Sequence, residues 1–322
     1  MNVLQLVTSP RPFFDQQVST LEARGVECTV LSVPGEYNGD STRGPLEYAR
    51  YYPQVLGELR SGEYDLVHAN YGLVAPFALA QPKRPVVLTL WGTDLMSDQD
   101  WLRTITRQGA RFADAVVAPS PAMSAALEVD HELIPFGVDT DRFRPVSKAE
   151  ARDQLGWDTD EPIALFPYDP SREVKDYPRA QRVVERADAD VELRAVTGVP
   201  HEEIPLYMNA SDLLLVTSER ESGPMVVKEA AACNVPIVST DVGFVRETVG
   251  DVTGCVVSDD DAALVDGIER AAETSIRPDA RGAIDGLSLE SMGDRLLELY
   301  YDLLEGPVDG STDQAAGVTQ RA

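Results

Sequence analysis

The chain has 322 residues, 43% of them hydrophobic, which is enough for two domains of about 150 residues each. Fifty-four acidic residues against 28 Lys and Arg give a formal net charge of -26 and a pI of about 4.4, which argues against nucleic acid as a partner. The three cysteines, Cys28, Cys233 and Cys255, are odd in number, widely spaced and without a C-x-x-C pair, so they read as buried thiols and not as a disulfide framework or zinc site.

In chain order, short apolar runs alternate with helix-like segments. "NVLQLVTS" precedes a helix over 13–24, "VECTVLSV" one over 45–61, "YDLVHA" one over 73–80, "PVVLTL" one over 99–113 and "DAVVAPS" one over 121–128. This βαβ rhythm predicts a parallel sheet covered by helices. It pauses at "HELIPFGVDTDRFRPVSKAEARDQLGW" and restarts with "EPIALFP", "VELRAV", "DLLLVT", "VPIVST" and "GCVVSD", a second parallel sheet. The expected division is a first domain over 1–145, a second over 146–287, a helix over 288–305 crossing back to the first domain, and a flexible tail over 306–322.

Ligands of open parallel sheets bind beyond the carboxyl ends of the strands, so two such domains facing each other make a cleft. No G-x-G-x-x-G follows the first strand, where "VTSPRPFFDQQ" stands, which argues against a simple dehydrogenase. The stretch "SERESGPMVVKEAAACNVPIVSTDVG" is richer in signal. Glu221 leaves the end of the "DLLLVT" strand, Gly223 and Pro224 open a helix with Pro224 at its first position, and Glu229 follows in the second turn. The backbone N–H groups at that helix start favour phosphate, while acids beside an anion site suit the hydroxyls of a sugar. The structural alternative makes Glu221 a helix-start acid and Glu229 a partner of a nearby Lys or Arg. "FPYDPSREVKDYP" adds Arg172 and Lys175, a guanidinium fork and a point charge suited to neighbouring phosphates, or else a solvated pairing with Glu173 and Asp176.

With "NVPIVSTDVGFVRETV", "VPHEEIPLYMNASDLLLVTS", "IPFGVDTDRFRP" and "SREVK", the E-x7-E element from Glu221 to Glu229 resembles the group 1, family 4 retaining glycosyltransferases over nearly the whole chain. The resemblance implies a GT-B fold, two Rossmann-like doubly wound α/β domains facing across a cleft. A nucleotide-diphosphate sugar is then held mainly by the second domain and a glycan or lipid-linked acceptor mainly by the first. It implies metal-independent transfer with retained anomeric configuration and no cofactor. On that pattern Arg172 and Lys175 stabilise the departing diphosphate, Glu221 contacts the transferred sugar, Glu229 binds ribose, and Gly223, Pro224, Met225 and Val226 form the donor-binding helix start. The D-x-D triplets Asp139–Asp141 and Asp188–Asp190 lie away from these elements, and no metal is expected at them.

The first domain departs from the family pattern. Arg11, Phe13 and Gln16 stand where a Gly-rich loop is common, Trp91 replaces the histidine of T-x-H-G, and "VHANYG" keeps His68 but has Asn70 where a second histidine is common. All six are candidate acceptor-side contacts, with a core or rim role the alternative for Trp91 and a structural role for His68. The rival functional readings are a lapsed transferase that only binds sugar nucleotides and a GT-B-fold sugar-nucleotide epimerase.

The apolar runs are far shorter than the ~20 residues that cross a bilayer, and the expected location is the cytoplasm, including the inner face of the membrane for a lipid-linked acceptor. Only four lysines occur, Lys83, Lys148, Lys175 and Lys228. An acid-rich, lysine-poor surface suits molar salt, where the Debye length falls to ~3 Å and self-repulsion is screened, so a halophilic source is expected over an ordinary acidic enzyme. Transfer from molar to ~0.01 M potassium chloride, where repulsion reaches ~30 Å, is expected to lower the melting temperature. A melting temperature independent of salt over that range overturns the halophilic reading.

Overall fold

The computed structural model describes residues 1–35, 43–157, 160–221, 223–274 and 277–306. Apart from Gly306, the expected tail lies outside the described residues. The first sheet contains β1 (Asn2–Val7), β2 (Glu27–Ser32), β3 (Leu66–Asn70), β4 (Val86–Thr89), β5 (Ala115–Ala118) and β6 (Glu132–Leu133), in the order β2-β1-β3-β4-β5-β6. It is wrapped by α1 (Pro12–Glu22), α2 (Pro45–Ser61), α3 (Ala75–Leu79), α4 (Asp100–Phe112) and α5 (Pro121–Ala125). After α6 (Lys148–Leu155) comes the second sheet: β7 (Ile163–Phe166), β8 (Glu192–Ala195), β9 (Leu213–Val216), β10 (Ile237–Ser239) and β11 (Val256–Val257), in the order β11-β10-β9-β7-β8. Its helices are α7 (Tyr177–Glu185), α8 (Ile204–Ala210), α9 (Met225–Ala232), α10 (Val245–Val249) and α11 (Asp261–Glu273). Every strand pairing is parallel. These are two doubly wound α/β units of the GT-B type. The strand β6 falls where the sequence rhythm pauses, because two residues are too few to carry a period.

Strand alternation assigns the first sheet's two faces. Leu4, Leu6, Val67, Ala69 and Leu88 pack on one side with Tyr51 and Val55 of α2. Val3, Leu66, Val87 and Val117 pack on the other. That second face is closed by α12 (Leu289–Glu305), which leaves the second unit and lies beside α1, burying Met292, Leu296 and Tyr300. An ion pair between Arg24, in the turn just past α1, and Asp294 of α12 (2.7 Å) fastens the contact. No helix among the described residues is long and apolar enough to cross a membrane.

The two chain passages between the sheets run side by side. Val138 N–H donates to Leu287 O (2.9 Å), and Leu289 N–H donates to Val138 O (3.0 Å). Gly137 makes this crossing fit, since a Cβ there would lie 2.5 Å from Ser288 O and 2.6 Å from Leu289 Cα, both backbone atoms that cannot swing aside. Gly137→Ala is therefore expected to destabilise the protein by about 1–3 kcal/mol in urea unfolding. Gly282→Ala, where a Cβ meets nothing within 4 Å, serves as the near-neutral control. Equal stability of the two variants would mean that the crossing is slack.

Candidate active site

In each sheet the chain steps outward from the central strand and then returns to its other side, at β1/β3 and at β7/β9. Loops leaving adjacent strands at such a reversal diverge and open a crevice. The loop after β7 carries Arg172 and Lys175, and the loop after β9 carries Glu221, so topology brings together residues about fifty positions apart. Facing them is the loop between β4 and α4. A cavity of about 280 Å³ lies between, lined by Arg172, Lys175 and Glu221 on one wall and Gly92, Thr93 and Asp98 on the other.

Lys175 is not the solvated charge that its charged neighbours Glu173 and Asp176 suggest. It is 4% exposed, its ammonium donates to Glu221 Oε1, and it sits 3.9 Å from the centroid of the Tyr168 ring. Burial lowers its pKa, and the Glu221 carboxylate opposes that shift. The same Glu221 oxygen accepts from Tyr168 Oη (3.1 Å) and Ser218 Oγ (3.0 Å). Glu221 Oε2 has no hydrogen bond among the described residues. Arg172 is exposed at the cavity wall and has no ion pair among the described residues.

Glu229 is 5% exposed in α9, and its partner is His201, whose Nε2 lies 3.1 Å from Glu229 Oε1. That partner is neither Lys nor Arg but a residue of the "VPHEE" turn after β8. The bond to Glu229 raises the His201 pKa, with burial opposing. Glu229 Oε2, like Glu221 Oε2, has no hydrogen bond among the described residues. Each acid is thus pinned by one oxygen and leaves the other available.

Two details of the helix start differ from expectation. Pro224 is the N-cap of α9, one position before the first helical residue, and as a proline it offers no N–H. Val227 N–H turns back to Pro224 O (3.1 Å). The candidate amides therefore reduce to Gly223, Met225 and Val226. Gly223 has no alternative, because a Cβ would lie 2.3 Å from the Phe244 ring. The neighbouring Lys228 is 1% exposed, donates to Phe136 O (2.5 Å), faces the Phe244 ring at 4.7 Å, and is lowered by burial to a pKa of about 7. It ties α9 to the segment that joins the two units.

The acceptor-side candidates divide. Phe13 sits edge-on to Trp91 (centroids 4.8 Å) and against Phe136 (4.7 Å), and Tyr71 also meets Trp91 edge-on at 5.7 Å. Trp91 Nε1 is buried without a hydrogen-bond partner among the described residues. The loop bearing Trp91 is shaped by Asp94, a fully buried carboxylate that accepts from the N–H groups of Gly72, Trp91, Gly92 and Leu95. Gln16 lines a second cavity of about 640 Å³ with Asp139 and His201. Arg11 is the exposed N-cap of α1.

His68 and Asn70 are corrections: both are fully buried and neither reaches the cleft. They share a strand face with Leu66, the face covered by α1 and α12. His68 Nδ1 lies 2.5 Å from Tyr300 Oη and Nε2 lies 2.7 Å from Thr89 Oγ1, while burial lowers its pKa to about 3 and keeps it neutral. Asn70 donates to Gln5 Oε1 (2.8 Å) and accepts from Gln17 Nε2 (3.0 Å). Of the residues that contact the candidates, sequence reasoning missed Tyr168, His201, Ser218 and Asp94; the "VPHEE" histidine was the one with a visible motif. The Asp139 carboxylate caps its own turn, accepting from Asp141 and Arg142 N–H, and no cluster of metal-ligand side chains occurs among the described residues.

Family models for "Glycosyl transferases group 1" and "Glycosyl transferase 4-like domain" match residues 175–283 and 3–147. A D-inositol 3-phosphate glycosyltransferase of Nocardia farcinica is 30% identical over 83% of this chain and 74% of its own. A putative teichuronic acid biosynthesis glycosyltransferase of Bacillus subtilis is 28% identical over 76% of this chain and 74% of its own. Among solved structures, Anabaena HepE in complex with UDP and glucose superposes with a TM-score of 0.72 at 17% identity, covering 94% of this chain and 100% of that one. Sucrose-phosphate synthase of Thermosynechococcus elongatus superposes with a TM-score of 0.69 at 17% identity, covering 95% and 100%.

The His201–Glu229 bond makes stability depend on pH with a definite sign. Because the folded-state pKa of His201 is raised above 6.5, its contribution is complete at and below that pH and is lost as pH rises through the raised value. The stability advantage of wild type over His201→Gln is therefore expected to be larger at about pH 5.5 than at about pH 8.5 in urea melts. A difference that does not change with pH would show that the pair carries no charge.

Proposed function

The chain belongs to the group 1 glycosyl transferases, and from that premise we propose that it transfers a sugar from a nucleotide-diphosphate donor to a glycan or lipid-linked acceptor, with retention of anomeric configuration. The observation that carries this reading is the pair of half-pinned carboxylates. Glu221 Oε2 and Glu229 Oε2 are unbonded among the described residues, and both acids flank the start of α9. A ligand with hydroxyls at two points and a diphosphate between them satisfies all three features at once.

In this reading the second unit, 146–287, holds the donor and the first, 1–145, the acceptor, with the helix over 288–305 binding them together. Glu229 accepts a ribose hydroxyl while His201 holds its other oxygen. Glu221 lies at the transferred sugar. Arg172, Lys175 and the amides of Gly223, Met225 and Val226 meet the diphosphate, and their charge stabilises the leaving group as the sugar becomes oxocarbenium-like. These groups supply that stabilisation without a metal and without a protein nucleophile. Relatives named for inositol phosphate, teichuronic acid and lipopolysaccharide core chemistry support a polyhydroxylated or lipid-linked acceptor. HepE, solved with UDP-glucose, makes uridine the first base to try.

Glu229→Gln is expected to weaken UDP-glucose binding by about tenfold in calorimetry, the loss for one hydrogen bond to a charged group. Glu221→Gln is expected to bind donor within about threefold of wild type but to lose most single-turnover transfer at saturating donor, since it touches the reacting centre. Arg172→Ala is expected to weaken UDP itself. Lys175→Met is a poor probe, because it strands the partly buried Glu221 carboxylate. Turnover should survive a chelator, and NMR of the product should show the donor's anomeric configuration. Equal defects of binding and turnover in both glutamate variants would return these acids to a structural role.

A further inference from the structure

One cation of the cleft is left unused by the donor. Arg220, directly before Glu221, extends its guanidinium across the cavity to Asp98 on the opposite wall, with Nη1–Oδ1 and Nη2–Oδ2 both 3.2 Å. Of the ion pairs among the described residues, this one alone joins a loop of the first sheet to a loop of the second. The side chains are 56% and 82% exposed. So open a pair adds little to stability, and either member is easily displaced.

The geometry is specific all the same. Two parallel N–H···O contacts to one carboxylate are the fork recognition that a guanidinium makes best. The fork is engaged by Asp98, on the wall that Thr93 and Ser97 also line. Its backbone neighbour, Glu221, is the acid assigned to the transferred sugar.

We infer that Arg220 is a specificity residue that reads the carboxylate of a hexuronic acid unit in the cleft, Asp98 occupying that carboxylate's place in the free protein. The inference rests on the nucleotide-sugar reading above. The acidic sugar is either the one transferred or the one that accepts, since Arg220 spans the gap between the donor and acceptor walls. In a chain of net charge -26, an anionic saccharide needs such a local cation to enter at all.

The test compares UDP-glucuronate with UDP-glucose in calorimetry and, with UDP saturating, methyl glucuronide with methyl glucoside by ligand-observed NMR. Wild type is expected to prefer the uronate by about tenfold in one of the two arms, and that arm identifies the acidic substrate. Arg220→Gln is expected to bring the ratio close to one. Asp98→Asn, which removes the internal competitor, is expected to raise the ratio about threefold or more. Parity in both arms with UDP bound overturns this inference alone, as does a preference that survives Arg220→Gln. A change in Asp98→Asn that affects both sugars equally also overturns it, because a simple latch between the domains would behave so. Failure of wild type to bind any of UDP, GDP, ADP and dTDP overturns the nucleotide-sugar reading and this one with it; where a diphosphate other than UDP binds, the same two comparisons are made with that base.

Discussion

A carboxylate at the end of a parallel sheet, with most of its surface taken from water, must be matched by donors held in place before any ligand arrives. Glu221 is matched by Lys175, Tyr168 and Ser218, all on one oxygen. That cluster joins the loops leaving β7 and β9 at the strand-order reversal of the second sheet, so it shapes the cavity wall and also aims the glutamate. Removing one partner of so buried a pair leaves an uncompensated charge, which is more costly than the pair's net worth. The proposed chemistry of the site and its local fold therefore rest on the same contact.

The division of labour between oxygens follows from this. A fully satisfied carboxylate is structural, and an unsatisfied buried one is expensive. Glu221 and Glu229 lie between these limits, each anchored by one oxygen, through Lys175 in one case and His201 in the other. Holding an acceptor rigidly while leaving it a free lone-pair site is how a protein prepares an electrostatic environment at no cost of rearrangement during reaction. Asp94 marks the structural limit: both oxygens of its buried carboxylate are taken by four backbone N–H groups, which holds the loop that lines the opposite wall.

The two units are joined by a few specific devices. The paired passages at Val138 and Leu289 exclude a side chain at residue 137, Lys228 donates from α9 to Phe136 O, and α12 returns to cover the first sheet. Lys228 is one of only four lysines in the chain, and it is spent on this junction. Its contacts, a carbonyl and an aromatic face, carry no charge, and burial depresses its pKa to about 7 against the opposing pull of Glu229.

From the sequence alone, period and order were readable. Alternating apolar runs and helical stretches identified ten of the eleven strands of the two parallel sheets. The E-x7-E spacing, the cations of "SREVK" and the Gly-Pro helix start marked the residues proposed for the donor, because those features are local in the chain. What the sequence could not contain was contact between distant elements. His68 and Asn70 sit at a strand end that a sequence reading points at the cleft, yet strand parity and the return of α12, 232 residues beyond His68, bury them against Tyr300 and Gln17. The partner of Glu229 came from the turn after β8, and Lys175 found Glu221 in place of its neighbours Glu173 and Asp176. Those choices depend on which strands are adjacent in the sheet and on which face a helix covers, and such distances are settled only when the whole chain has packed.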